Sequence, residues 1–268
     1  KYGSRVVEVD AFPISVDFAQ WDALGHEAEG AAAVLRDELG VDSVLLGIDR
    51  LDYTKGITQR LQAFDELLDE GRVDSKRCTF VQVAVPSRSD VQAYQDERSE
   101  VEALVERINS LHRRQNGTGP VKYIESSFDD NGLAAWYRAA NALVVTSLAD
   151  GMNLVAKEFV AARGDVDGVV VLSEFAGAAQ DLDGALIINP YDIDAIKKAL
   201  LSSLELPHVE RTARMESMRD TVRRNDVHHW ARQFLERLEA TPHSPERPTL
   251  WGLPVISRLA VRKPPKRA

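Results

Sequence analysis

Apolar residues along this chain fall into two kinds of run that alternate. Short stretches at Val44 to Ile48, Thr79 to Val85, Val121 to Ile124, Ala142 to Thr146, Val169 to Leu172 and Ala185 to Ile188 are rich in β-branched and apolar residues without a break. That continuity is the mark of strands buried on both faces, not of strands with one wet side. Between them, Ile57, Leu61, Phe64 and Leu68, and then Val101, Leu104, Val105, Ile108 and Leu111, recur at helical spacing and predict amphipathic helices. Strand and helix therefore alternate. Because parallel neighbours need a crossover helix, the pattern predicts an α/β fold with a doubly wound parallel sheet. Ligands of such sheets sit beyond the carboxyl ends of the strands, so function is sought in the strand-to-helix loops.

Three regions stand outside this alternation. Residues 1–17 hold one strand-like run and Phe12-Pro13-Ile14, and read as the end of something that precedes them, a remnant or interdomain link. Residues from Asp192 to about Ala240 are mainly helical, with Ile196, Ala199, Leu200 and Leu204 on one face. From Thr241 on, prolines at 242, 245, 248, 254, 264 and 265 and a basic end predict a loosely ordered tail. The expected division is thus 1–17, a main domain over 18–240, and a tail over 241–268. No internal repeat is apparent.

Composition narrows the classes of function. The chain has 268 residues, 44% of them hydrophobic, and 33 Lys and Arg against 42 Asp and Glu for a net charge of -9. That balance argues against a general nucleic-acid surface, and a basic end is usually only solvated. The single cysteine, Cys78, cannot form an internal disulfide or a multi-thiolate metal site, which suits a reducing cytoplasm. No stretch approaches the roughly 18 apolar residues of a membrane span, and residues 1–10 lack the apolar core of a signal peptide. A soluble cytoplasmic protein is expected. Asn116-Gly117-Thr118 is read as a turn, not as a used glycosylation site. His228 and His229 are adjacent, point about 100 degrees apart on a helix and cannot share a metal.

Two loops carry the chemistry. Residues 47–57, G-I-D-R-L-D-Y-T-K-G-I, place Arg50 and Lys55 between a strand end and the start of the Ile57 helix. Cations at a helix N-terminus, where free N–H groups and the dipole already favour anions, suit a diphosphate; Gly56 would let backbone approach it. Surface pairing of Arg50 and Lys55 with Asp49 and Asp52 explains the same residues equally well. Residues 146–161, T-S-L-A-D-G-M-N-L-V-A-K-E-F-V-A, put a turn at Asp150-Gly151. Successive N–H groups of Gly151, Met152 and Asn153 then open a helix, with Glu158 about two turns in and able to reach a ribose. Asp150 as a simple N-cap, worth about 1 kcal/mol, is the competing reading.

The strings D-R-L-D-Y-T-K-G (49–56), D-G-M-N-L-V-A-K-E (150–158) and V-P-S-R-S-D-V-Q-A-Y-Q (85–95) together resemble the trehalose-6-phosphate synthases, from about Phe12 to Trp230 and in matching order. These are retaining glycosyltransferases built of two Rossmann-like domains, the GT-B arrangement, with the active site between them. The resemblance assigns this chain to the C-terminal, donor-binding half. It implies that Arg50 and Lys55 grip the donor diphosphate, and that Arg88 contacts the acceptor phosphate unless it merely faces solvent or Asp90. It also implies that Asp150 with Gly151, Met152 and Asn153 holds the donor glucose, that Leu154 and Val155 meet the diphosphate, that Glu158 binds the ribose, and that Phe128 offers backbone beside the base. Arg50, Lys55 and Asp150 become the catalytic candidates. The implied reaction moves glucose from a nucleotide-glucose such as UDP-glucose to glucose 6-phosphate. Configuration is retained without a protein nucleophile or base, and Arg50 and Lys55 stabilise charge growing on the leaving diphosphate. The nucleotide-sugar is a substrate, and neither cofactor nor metal is required.

Relatives of this kind carry an N-terminal domain that supplies most of the acceptor pocket, and its absence here predicts that the chain alone is inactive. Two other readings stand beside the first: a glucosylglycerol-phosphate synthase-like transferase with another acceptor, and a non-catalytic module that senses nucleotide-sugar. The base of the donor is left open, and a homo-oligomer is compatible with the sequence. Exposed apolar surface is expected near Phe12, Pro13 and the tail, where a second domain would pack.

Overall fold

The computed structural model of the chain describes residues 9–87 and 91–240. Six parallel strands form one sheet: β1 (Ser43–Arg50), β2 (Cys78–Val85), β3 (Val121–Ile124), β4 (Ala142–Val145), β5 (Val169–Ser173) and β6 (Leu186–Ile188), in the order β3-β2-β1-β4-β5-β6. Each predicted apolar run is a strand, with ends shifted by one or two residues. Leu45 pairs with Phe80 on one side and Ala142 on the other, so β1 sits at the centre, where the chain, having built outwards through β2 and β3, returns to start β4. The doubly wound, Rossmann-like sheet expected from the alternation is present.

Helices cover both faces because the strands are apolar on both. Against one face lie α1 (Phe18–Glu27), α2 (Glu29–Leu39), α5 (Asp130–Ala139), α6 (Leu154–Ala162) and α8 (His208–Arg224). Against the other lie α3 (Ile57–Asp69), α4 (Gln92–Leu111) and α7 (Ile193–Glu205). The first core joins Leu46, Val81, Tyr137, Phe159 and Met218; the second joins Leu45, Phe64, Phe80, Ile108 and Leu200, all fully buried. Burial of such side chains, at roughly 1.5–3 kcal/mol each relative to exposure, fixes the helices on the sheet and so fixes where the loops emerge.

Ile57, Leu61, Phe64 and Leu68 are buried on α3 as their spacing predicts, and Val101, Val105 and Ile108 on α4. Leu111, grouped with them, is exposed as the last residue of α4. The region after Asp192 is helical as expected, as α7, α8 and α9 (Val227–Ala240). Residues 9–17 hold no strand and run irregularly to the Asp17 cap of α1, whose Oδ1 accepts from Gln20 N at 3.0 Å. The apolar surface expected near Phe12 is only partly there. Phe12 packs edge-on against Phe234 of α9, and its carbonyl accepts from Trp230 Nε1 at 3.0 Å, whereas Pro13 and Ile14 stay exposed. Residues 1–8 of the segment that holds the strand-like run, the tail over 241–268 and Arg88 lie outside the described residues. Asn116-Gly117 is a turn, with Gly117 at φ 85°. No helix among the described residues is long and apolar enough to cross a membrane.

Candidate functional site

The strand order reverses between β1 and β4, and there the loops after these strands must part to opposite faces, leaving a crevice at their carboxyl ends. Both loops singled out by sequence open on it. Arg50 is the last residue of β1. A short 3-10 turn, Tyr53–Lys55, follows, capped by Asp52, whose Oδ1 accepts from Thr54 N at 2.9 Å and from Thr54 Oγ1 at 2.8 Å. Burial works to raise the Asp52 carboxyl, but these bonds, Tyr94 and Arg50 together hold it below its usual value. Gly56 then adopts a left-handed conformation (φ 61°) and enters α3 with no side chain capping the helix. A Cβ at Gly56 would strike the Thr146 carbonyl. The first N–H groups of α3 are therefore free to meet an anion.

The second loop is tied to the first. Leu148 N donates to Thr54 O at 2.7 Å, Thr146 Oγ1 donates to Gly56 O at 2.7 Å, and Lys55 Nζ reaches Asp150 Oδ2 at 2.6 Å. Asp150 also accepts from Asn153 Nδ2 at 3.1 Å and from Met152 N at 3.3 Å. Burial opposes its ionisation, but the Lys55 ammonium and these donors outweigh it and depress its pKa. Asn153 is held left-handed (φ 75°) and caps α6 through Oδ1 to Ala156 N at 3.0 Å. Since Ala156 N is taken, the N–H groups of Leu154 and Val155 are those that the start of α6 offers outward.

A third loop, after β5, supports the second: Asp150 N donates to Phe175 O at 3.1 Å, Gly177 N to Asp150 O at 3.1 Å, and Ala178 N to Met152 O at 2.7 Å. Beneath the first loop, the fully buried Arg60 of α3 bonds Asp49 Oδ2 at 2.6 Å, Gln82 Oε1 at 2.9 Å and the Val144 carbonyl at 2.9 Å, locking β1, β2 and β4 together. Burial raises the Asp49 carboxyl above its usual value although Arg60 opposes it. Because α6 begins at Leu154, Glu158 lies little more than one turn in, not two. Its Oε2 accepts from the buried Tyr137 hydroxyl of α5 at 2.7 Å. Burial raises the Glu158 carboxyl; the Tyr137 bond opposes the rise and the Asp130 charge adds to it. Asp130 opens α5 two residues after Phe128, which packs on Trp136.

Lys55, Asp150, Met152 and Asn153 are thus in direct contact. The surface-pairing alternative fails for Lys55, whose partner is Asp150, and for Asp49, whose partner is Arg60; Arg50 is largely exposed and comes to 3.9 Å of Asp52. Met152 N–H is not offered outward, because Asp150 takes it. Sequence reasoning missed Tyr137, Arg60 and the loop after β5. Tyr137 lies among apolar residues of α5, but nothing local in the sequence marks its partner. A recess of about 260 Å³ at the opposite end of the sheet, lined by Arg36, Asn141, Arg163 and Asp165 among others, is neutralised internally: Arg163 bonds the Tyr137 and Ala140 carbonyls and Asp165.

A switch-point crevice with a lysine, a carboxylate and free N–H groups at two helix starts is chemically able to hold a diphosphate-linked sugar. Residues 1–240 match the model of glycosyltransferase family 20. The chain belongs to glycosyltransferase family 20. Among curated family 20 relatives, trehalose-6-phosphate synthase of Mycobacterium sp. (strain KMS) is 45% identical over 242 residues, 89% of this chain and 49% of that protein. The synthase of Mycobacterium avium (strain 104) is 46% identical over 238 residues, 88% of this chain and 48% of that protein. Of solved structures, the UDP-forming α,α-trehalose-phosphate synthase of Burkholderia xenovorans with glucose 6-phosphate superposes with a TM-score of 0.82 at 41% identity, over 86% of this chain and 51% of that one. The E. coli protein bound to UDP-2-fluoro-glucose gives 0.82 at 36%, over 87% and 52%. The chain spans about half the length of the curated family 20 relatives it matches.

Proposed function

We propose that this chain forms the donor-binding half of a retaining glucosyltransferase that joins glucose from UDP-glucose to glucose 6-phosphate, giving trehalose 6-phosphate. The observation that carries the reading is the Lys55–Asp150 pair, which ties the loops after β1 and β4 together at the topological switch point. A buried ammonium there is already desolvated and oriented, so charge developing on the diphosphate meets a preorganised partner. Arg50, half exposed at the rim beside Asp52, closes on the same group, and the N–H groups of Leu154 and Val155 and of the first turn of α3 complete its cradle. Asp150, kept ionised, accepts from glucose hydroxyls beside Gly151 and Asn153. Glu158, aligned by Tyr137, accepts from the ribose, and backbone at Phe128 lies beside the base.

Two cations and two helix starts supply the neutralisation that a metal would otherwise give, so donor binding and transfer proceed without metal or cofactor in this reading. UDP is proposed as the donor's nucleotide because one similar protein is UDP-forming and another is bound to a UDP-sugar. The acceptor side, to which Arg88 would contribute its phosphate contact, is completed by the other half of the fold that the longer relatives possess, and turnover requires that half. Calorimetric titration with UDP-glucose tests the donor site directly. Saturable binding that is lost in Arg50→Ala and Lys55→Ala supports the reading; binding that both variants retain overturns the diphosphate assignment.

A further inference from the structure

We propose that Asp65, Asp69 and His112 form a binding site for a divalent transition-metal ion of the zinc class, remote from the crevice at the switch point. Asp65 and Asp69 stand one turn apart on α3, on one face of the helix, and His112 caps the end of α4. One ligand atom from each falls within 4.8 Å of the others. His112 Nε2 lies 3.6 Å from Asp65 Oδ1 and 3.2 Å from Asp69 Oδ1. A tetrahedral ion with bonds of about 2.0–2.2 Å sets its ligands about 3.3–3.6 Å apart, and the two separations from His112 lie close to that spacing.

The orientation of the groups points the same way. Asp65 Oδ1 and His112 Nε2 are both buried and neither has a hydrogen-bond partner, although they face acceptors and donors at close range. A simple histidine–aspartate ion pair would direct the ring N–H along the line to a carboxylate oxygen; here His112 Nε2 comes within 4 Å of both carboxylates yet makes no hydrogen bond to either. Two buried polar atoms without hydrogen bonds carry a desolvation cost that a shared ion removes. Arg107 of α4 donates from Nη2 to Asp65 Oδ2, which fixes the carboxylate and leaves Oδ1 for the ion. Asp69 is 57% exposed, which provides an entry path and room for water as a fourth ligand. Asp65 and Asp69 lie about 12 and 18 Å down α3 from its first residue at 1.5 Å per residue, so the ion would clamp α3 to the end of α4 without touching the donor. Linear spacing conceals the cluster, because His112 reaches α3 only through packing of α4.

Titration of the chelator-treated chain with Zn²⁺, followed by calorimetry, and with Co²⁺, followed by its visible ligand-field spectrum, tests the site. Loss of outer partners alone costs about 10–100-fold in affinity, so Asp69→Asn and His112→Gln should each weaken Zn²⁺ binding at least tenfold and abolish a tetrahedral Co²⁺ spectrum. Asp69 is exposed, so Asp69→Asn should melt with the metal-free parent, which separates ligand loss from misfolding. Absence of saturable binding, or binding that either variant retains in full, would overturn the proposal.

Discussion

Lys55 Nζ lies 2.6 Å from Asp150 Oδ2, and both side chains are largely withdrawn from solvent. The contact spans the point where the strand order turns back on itself, so it holds the two ligand-facing loops in one register and keeps the ammonium at the mouth of the crevice. Removal of one partner leaves the other partly buried without its counter-charge. Lys55→Met should therefore destabilise the chain by about 1–3 kcal/mol, measured as the urea midpoint at neutral pH. The Asp150 pKa is depressed from its ordinary 3.8, so its stabilisation is present above pH 3.8 and is lost as the pH falls through the lowered folded value. In that acid range the gap between parent and Lys55→Met should close.

Gly56 and Gly117 both sit at positive φ, but only Gly56 abuts another loop. Alanine at either position meets the left-handed penalty of about 1–2 kcal/mol. At Gly56 its methyl would also push Thr146 away and separate the loops. Gly56→Ala should thus cost more stability than Gly117→Ala and should lose UDP-glucose binding, which Gly117→Ala keeps. Thermal melts and donor titration of the two variants check this.

Glu158 is held in a site that raises its pKa above the ordinary 4.5, chiefly through burial. A raised carboxyl makes the folded state bind protons more readily than the unfolded one, so ionisation of Glu158 reduces stability as the pH rises through that raised value. Glu158→Gln should be as stable as the parent or more so at pH 7 to 8. The difference should close as the pH falls and the parent protonates, while donor affinity drops at all pH values. Tyr137→Phe, which removes the 2.7 Å bond to Glu158, should weaken the donor by roughly 2–13-fold, from the usual 0.5–1.5 kcal/mol of such a bond.

Arg60 is a scaffold residue. Arg60→Met strands Asp49 in the core and should lower stability by about 3–5 kcal/mol, read as a shift of the denaturant midpoint. Arg60 faces the sheet and not the crevice, so the fraction that remains folded should bind donor with parental affinity.

Much of this was legible in the chain before folding. The six strands could be read because burial on both faces leaves no polar alternation to confuse them, and the two loops could be read because cations and glycines cluster just past strand ends. What could not be read depends on partners far apart in sequence. Lys55 had two acidic neighbours within six residues, and folding instead gave it Asp150, since β1 and β4 are adjacent in the sheet. Asn153 shows its left-handed cap only once the loop after β5 fixes Asp150. Leu111 fits a helical stripe by spacing, yet as the last residue of α4 it is left exposed. The Glu158 environment comes from Tyr137 on a different helix, which no local pattern reveals.

The crystal structure of the chain with UDP-glucose tests the central claim most directly. The account predicts diphosphate oxygens within hydrogen-bond reach of Lys55, Arg50 and the N–H groups of Leu154 and Val155, with the ribose on Glu158. A nucleotide-sugar bound elsewhere, such as in the arginine-lined recess of Arg36 and Arg163 at the amino ends of the strands, would contradict it.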